Sequence, residues 1–372
     1  MLFYIVMLSL ILVVGIPMSL TENKNVRKIC MFLETIIFLI VLGLRDMHIG
    51  MGDVVNVYMP EYRHILEFSF FDIIKKFKDP IFYVITRICI LISNNNISFW
   101  LTVCAAAYII PIMFLIYRES KYPLISIIIF VALNFFGTAF SGLRHCIACG
   151  ILCFAYKPLN SRELWKFLLI VLFASMFHIT SLIFLLAYPI IGYFKNRRIS
   201  YNWFWGINLI IMFTFIMSKF LGKYIVNEVL NFIINVIGLK RFSIYATEGY
   251  SSLNDSLFFI NYIIYFVSGY MLCTGKKIKD KENYKNFLIL QALGTLLLTL
   301  VNSLGEFYRL AYFFIFYSIL LVPELLCCFR NGFSRKCFCI FYVGICIYYF
   351  LFFGIQNNMI IPYKFTVFTN IL

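Results

Sequence analysis

Apolar runs alternate with short polar loops along almost the whole chain, and most runs approach the ~20 residues that cross a bilayer as a helix. The first, Leu2 to Leu20, has no basic region before it and no small-residue cleavage site after it, so it is expected to stay as a spanning helix. The second, Met31 to Leu44, carries a single charge, Glu34. Further spans are expected at Phe99–Tyr117, Pro123–Gly142, Leu143–Tyr156, Leu164–Phe177, Ile179–Phe194, Trp203–Ser218, Leu257–Thr274, Phe287–Ser303, Leu310–Leu326 and Phe338–Ile355. Such runs are too long and too uniformly apolar for barrel strands, and in hydrocarbon a helix satisfies its own backbone. The pattern therefore predicts an all-α, polytopic integral membrane protein with about twelve transmembrane helices.

Two segments break the rhythm. Arg45 to Pro80 is long and polar, and its later part reads as an amphipathic helix on the membrane surface. Lys219 to Ser256 contains a second amphipathic run, Tyr224–Leu239. Between the first of these and the third span, Ile81 to Ser93 includes Arg87 and is too short to cross comfortably, so it reads as re-entrant, interfacial or half of a broken helix. No repeat or low-complexity linker divides residues 1–372, which are expected to form one domain, with segments 45–80 and 219–256 covering a site on the outer face.

Composition agrees with the pattern. The apolar fraction is 62% and the charged fraction 13%, with a mean hydropathy of +0.90, where soluble domains are roughly a quarter charged. The net charge of +15 invites a nucleic-acid partner, but 19 of the 32 basic residues lie in short loops such as Lys24–Lys28, Lys195–Arg198 and Lys276–Lys285. That distribution follows the positive-inside rule, so those loops face the cytoplasm, both termini face out, and no nucleic-acid partner is expected. Most of the twelve cysteines lie in apolar runs, and the Cys327, Cys328, Cys337 and Cys339 group lacks the spacing of a zinc ribbon. No metal is expected.

In this topology His48, His64, His145 and His178 all fall on the outer side, as do Arg45, Arg144 and Arg309. The stretch Gly43–Asp53 combines Arg45, suited to bidentate phosphate binding, with three glycines that admit a ligand close to the backbone. Asp53 there is a candidate base or sugar-hydroxyl acceptor; the alternative is a snorkelling arginine above a glycine-rich turn. Arg144 and His145 open a helix after Gly142, where an anionic group could be held, or Arg144 could be an interfacial anchor ordered by His145. His178, between two short apolar runs, reads as a general base lining an aqueous cavity or as a satisfied core histidine. Glu306 and Arg309 share a helix face and either neutralise each other or contribute a third guanidinium to an anion clamp. The tail Pro362–Lys364 and the loop Tyr245–Asp255 are candidate sugar contacts.

Several short motifs, in this order, resemble the EpsG family. They are the Gly-Leu-Arg that ends the second run, the Gly/Asp/Tyr pattern after it, Leu143–Ala148, Phe177–Tyr188, Tyr308–Phe313 and Ile361–Lys364. The resemblance covers nearly the whole length. It implies a polymerase similar to the Wzy type, which joins undecaprenyl-diphosphate-linked oligosaccharide repeat units on the outer, periplasmic face of the bacterial inner membrane, for O-antigen, capsule or exopolysaccharide. It carries over Arg45, Gly50, Asp53, Tyr58, Arg144, His178 and Arg309 as site residues. The spacing from Arg45 to Asp53 runs about a residue longer than the family's, so either Gly50 or Gly52 corresponds, and His145 stands where a glutamine often follows the arginine. No Asp-x-Asp motif occurs on the outer side, so metal-independent, cofactor-free glycosyl transfer is expected, with the arginines stabilising the leaving diphosphate and His178 or Asp53 taking the acceptor proton. A flippase for the same lipid-linked glycan, a ligase differing in its acceptor, or an acyltransferase are the alternatives, and a chain-length regulator is left open as a partner.

Overall fold

The computed structural model describes residues 1–50, 52–235, 255–274, 281–301 and 307–366. Among the described residues the regular structure is helical, apart from one isolated antiparallel bridge between Arg45 and Phe365. The expected all-helical membrane class thus stands, and the number of long spans does not. Among the described residues five helices are long and apolar enough to cross a membrane: Leu2–Leu20, Ile97–Glu119, Tyr201–Gly222, Ser256–Cys273 and Gly332–Asn357. A sixth is gained if Tyr308–Ile315 and Ser318–Cys328, bent by 45°, count as one broken span.

The expected twelve overcounts because hydropathy measures composition and not helix continuity. The run 123–142 is a helix only from Pro123 to Ala132; Asn134 then turns left-handed at φ 68° and a four-residue helix, Phe135–Thr138, follows. The next run is Leu143–Leu152, a 3₁₀ turn at Cys153–Ala155 and the short helix Tyr156–Ser161. The run after His178 begins as tight 3₁₀ helix, Ile179–Leu186, and widens into α-helix only at Ala187–Phe194. Lys24–Gly43 is a continuous helix of 20 residues, but three basic residues and Glu34 lower its apolarity.

The polar segment 45–80, whose later part was expected to be an amphipathic surface helix, forms a chain of short elements. A π-helical turn (Val54–Tyr58) leads into Met59–His64, a 3₁₀ turn (Ile65–Glu67) and Phe70–Lys76. The last of these starts at a capping box, in which Ser69 and Asp72 each bond the other's backbone amide. Pro80–Ser93 is a helix of 14 residues, with Pro80 in its first turn and left-handed Asn94 at its end, matching the segment expected to be too short to span. Of the run Tyr224–Leu239, residues to Asn235 continue the helix from Tyr201, and the rest lies outside the described residues.

The chain divides into two compact units, Met1–Pro189 with Val322–Leu372, and Ile190–Leu321. In the first, small residues set how closely helices approach. A Cβ on Gly150 would lie 2.7 Å from the Ala107 carbonyl oxygen and 3.1 Å from the Tyr108 Cα, so Leu143–Leu152 packs backbone to backbone on Ile97–Glu119. Gly150→Val is therefore expected to lower the thermal midpoint of the purified protein, at a cost of about 1–3 kcal/mol from overpacking. An unchanged midpoint would mean that this helix pair is not held as described.

The carboxy-terminal segment lies over the start of the chain. The Tyr363 ring stacks on Phe3 with centroids 3.8 Å apart, and its hydroxyl donates to the Val41 carbonyl at 2.8 Å. The Tyr4 hydroxyl donates to the Ile360 carbonyl, also at 2.8 Å.

Candidate active site

Arg144 is the node of the first unit's polar cluster. It stands in the first turn of Leu143–Leu152, where the unpaired amides and the helix dipole make a cation unfavourable. The counter-charge comes from the start of another helix. Asp79 precedes Pro80–Ser93, makes no side-chain cap of its own, and accepts from the Arg144 Nη1 at 3.0 Å. The same Nη1 donates to the Tyr83 hydroxyl at 2.9 Å, and that hydroxyl donates to the Glu61 carboxylate.

Three aromatic rings surround the guanidinium, with centroids 5.0 Å (Tyr58), 5.8 Å (Tyr83) and 6.0 Å (Phe82) from its central carbon. The Arg144 side chain keeps 21% of its exposure, whereas Asp79 keeps 7%. Burial pushes the Asp79 carboxyl above the ordinary value of 3.8, while Arg144 and the nearby Ile179 amide pull it back.

Ile179 brings in the histidines. His178 is extended, at φ −156° and ψ 108°, between Leu164–Ser175 and the 3₁₀ helix. Its ring meets that of His145 edge-on, with centroids 5.6 Å apart and planes at 86°. His145 is buried with its Nε2 3.6 Å from the Cys149 sulfur, and His178 is half-buried. The fold thus gathers Tyr58, Arg144, His145 and His178 from the sequence-derived set.

It also adds Glu61, Asp79 and Tyr83, which sequence reasoning missed. A signal was present: an arginine set deep in so apolar a chain needs a counter-ion, and acids are scarce, 17 in 372 residues.

Arg45 is placed differently. Its guanidinium is 1% exposed and donates to the carbonyls of Phe140 (2.5 Å), Ile49 (3.0 Å) and Ala139 (3.4 Å), while lying 4.7 Å from the Phe140 ring centre. Thr366 donates to its backbone carbonyl at 2.6 Å, and the Asp46 amide donates to that of Lys364 at 2.9 Å. Burial lowers Arg45 to about 10, which still leaves it charged at neutral pH. Arg45 lines a cavity of about 10 Å³, room for a single water. Arg45 therefore holds backbone together, and the expected open phosphate ligand is not what this geometry presents.

Gly50 belongs to the same structural knot. It has φ +114°, its amide donates to Met359 at 3.1 Å, and a Cβ would stand 2.8 Å from the Phe140 carbonyl oxygen. The Gly52 carbonyl accepts from the Asn56 amide at 2.6 Å, and half-buried Asp53 precedes the π-helical turn. His48 pairs with Asp46 and His64 with Glu67 on the surface. The tail Pro362–Lys364 packs on the chain's beginning, as described above, so its tyrosine is occupied there.

Arg309 lies in the second unit. Its Nε donates to the Tyr308 hydroxyl at 3.0 Å. Glu306 and most of the Tyr245–Asp255 loop lie outside the described residues; Asp255 itself pairs with Lys219.

A guanidinium paired with one carboxylate and linked to a second through a tyrosine hydroxyl, walled by aromatic rings, with a pair of imidazoles in the same unit, provides what a phosphorylated sugar needs. The rings offer faces for the sugar's C–H groups, the carboxylates accept its hydroxyls, the cation meets phosphate oxygens, and an imidazole can move a proton. No curated protein and no solved structure matches this chain. Residues 28–365 match the EpsG family.

Proposed function

The chain belongs to the EpsG family, and from that membership we propose that it is a Wzy-type exopolysaccharide polymerase, a membrane glycosyltransferase acting on undecaprenyl-diphosphate-linked repeat units at the outer face of the inner membrane. The observation that carries the reading is the Arg144 cluster, in which Asp79 and Tyr83 bond the guanidinium, Glu61 accepts from Tyr83, and the segment starting at His178, whose ring meets His145, reaches Asp79 through the Ile179 amide.

In the proposed reaction the bond between the growing glycan's anomeric carbon and its diphosphate breaks, and the electron pair leaves with the phosphate oxygen. Arg144 meets the charge that develops there. A hydroxyl of the incoming repeat unit attacks the same carbon and gives its proton to His178, held edge-on by His145. Asp53 is the second candidate base. Tyr58, Phe82 and Tyr83 wall the sugar subsite, and Arg309 is retained as a phosphate-binding residue of the second unit.

Deleting the gene is expected to leave single-repeat glycans on the cell surface and no long-chain ladder, with the ladder restored by the native chain. A surface without any repeat unit would indicate a flippase instead, and a full ladder of unattached polymer a ligase.

Asp79 occupies the guanidinium that the diphosphate would use, so the two anions compete. The sign follows from its raised pKa: the folded state holds this proton more tightly than the unfolded chain does, so this group favours folding most below about 4 and progressively less as pH rises through the raised value. Protonation also releases Arg144. Affinity for a lipid-linked diphosphate, measured on purified protein, is expected to rise as pH falls through that window, and Asp79→Asn is expected to flatten the dependence. A native-like pH profile in the asparagine variant would exclude Asp79 as the competitor.

A further inference from the structure

A cavity of about 230 Å³ lies in the first unit at the end of Ile97–Glu119, beside the turn that follows Cys153. It is far roomier than the 10–15 Å³ a single water needs. Pro111, Phe114, Leu115 and Phe154 form an apolar wall, and Arg118 and Lys157 stand at its rim with Glu119.

The two cations are not committed elsewhere in ways that explain them. Arg118 is in the last turn of its helix, where a cation would ordinarily serve the free carbonyls. Those of Tyr117 and Ser120 are already taken by Arg27, at 3.2 and 3.0 Å. Arg118 instead lies 5.4 Å over the Phe114 ring, at the cavity wall, and stays exposed. Lys157 is exposed at the cavity too, and Glu163, which feels its charge, is already paired with Lys166. Against Glu119 the rim keeps one positive charge in excess.

An apolar wall under a cationic rim, at the end of a spanning helix, matches one kind of occupant. We propose that this cavity binds an anionic glycerophospholipid, its phosphate between Arg118 and Lys157 and the upper part of an acyl chain against Phe114 and Phe154. The rim belongs to the short basic loops that the positive-inside pattern assigns to the cytoplasmic leaflet, where anionic lipids attract such residues. The site is independent of the Arg144 chemistry.

The test is native mass spectrometry of the full chain in neutral detergent, titrated with phosphatidylglycerol or with phosphatidylcholine. One phosphatidylglycerol per chain is expected to survive activation that strips phosphatidylcholine. Arg118→Gln with Lys157→Gln is expected to weaken its retention about tenfold, while Lys24→Gln with Lys28→Gln, an equal charge loss in another loop, leaves it unchanged. Should the double variant lose folded protein, Lys157→Gln alone is read, with a loss of about threefold. Equal retention of the two lipids by the native chain, or equal loss in the control variant, would overturn the site.

Discussion

Arg144→Ala is expected to abolish the long-chain polysaccharide ladder while single-repeat glycans accumulate. Removing one donor aimed at developing negative charge costs about 10²–10³ in rate in comparable sites. Arg144 is also the counter-ion of a nearly buried carboxylate, so the alanine variant leaves Asp79 uncompensated and some of the protein is lost with it. The double variant Arg144→Ala with Asp79→Asn separates the two effects. It removes both charges at once, so protein level should recover and the ladder should not. Recovery of the ladder together with protein level would reduce Arg144 to a structural ion pair and leave the proposed site without its phosphate ligand. Arg144→Lys keeps the charge but loses the planar guanidinium stacked among Tyr58, Phe82 and Tyr83, and an intermediate ladder is expected.

Arg45→Met is expected to act on folding instead of chemistry. The substitution keeps an unbranched chain but removes the donors to Ile49 and Phe140, and each buried carbonyl left without a partner costs about 1–3 kcal/mol. Loss of the contact with the Phe140 ring adds to this. A total of roughly 3 kcal/mol or more should appear as low abundance in membranes and an earlier thermal midpoint, with activity per folded molecule within a few-fold of native. Full abundance with no activity would return Arg45 to the role read from its sequence, that of a ligand.

These two arginines show where sequence reading stops. Both sit at the end of an apolar run, both follow Gly-Leu, and both were expected to face the same anion. Nothing local distinguishes them. What separates them is the neighbour each meets: Arg45 meets carbonyls 94 to 95 residues away, whereas Arg144 meets a carboxylate 65 residues away and a phenol 61 residues away. Gly50 makes the same point. Its need for glycine could be suspected from the stretch, but the reason is a carbonyl at Phe140 and not a ligand.

The sequence by itself determined the class: an all-helical membrane protein with a family pattern over most of its length. Those conclusions rest on composition and local order, because a backbone in hydrocarbon has few ways to satisfy its own hydrogen bonds. Only the tertiary structure decided which runs are continuous helices and which break, since an αL residue such as Asn134 or a 3₁₀ stretch such as Ile179–Leu186 leaves hydropathy unchanged. It alone also decided which guanidinium faces a carboxylate and which faces backbone. A buried charge takes its role from the groups that desolvate and pair it, and those come from distant parts of the chain.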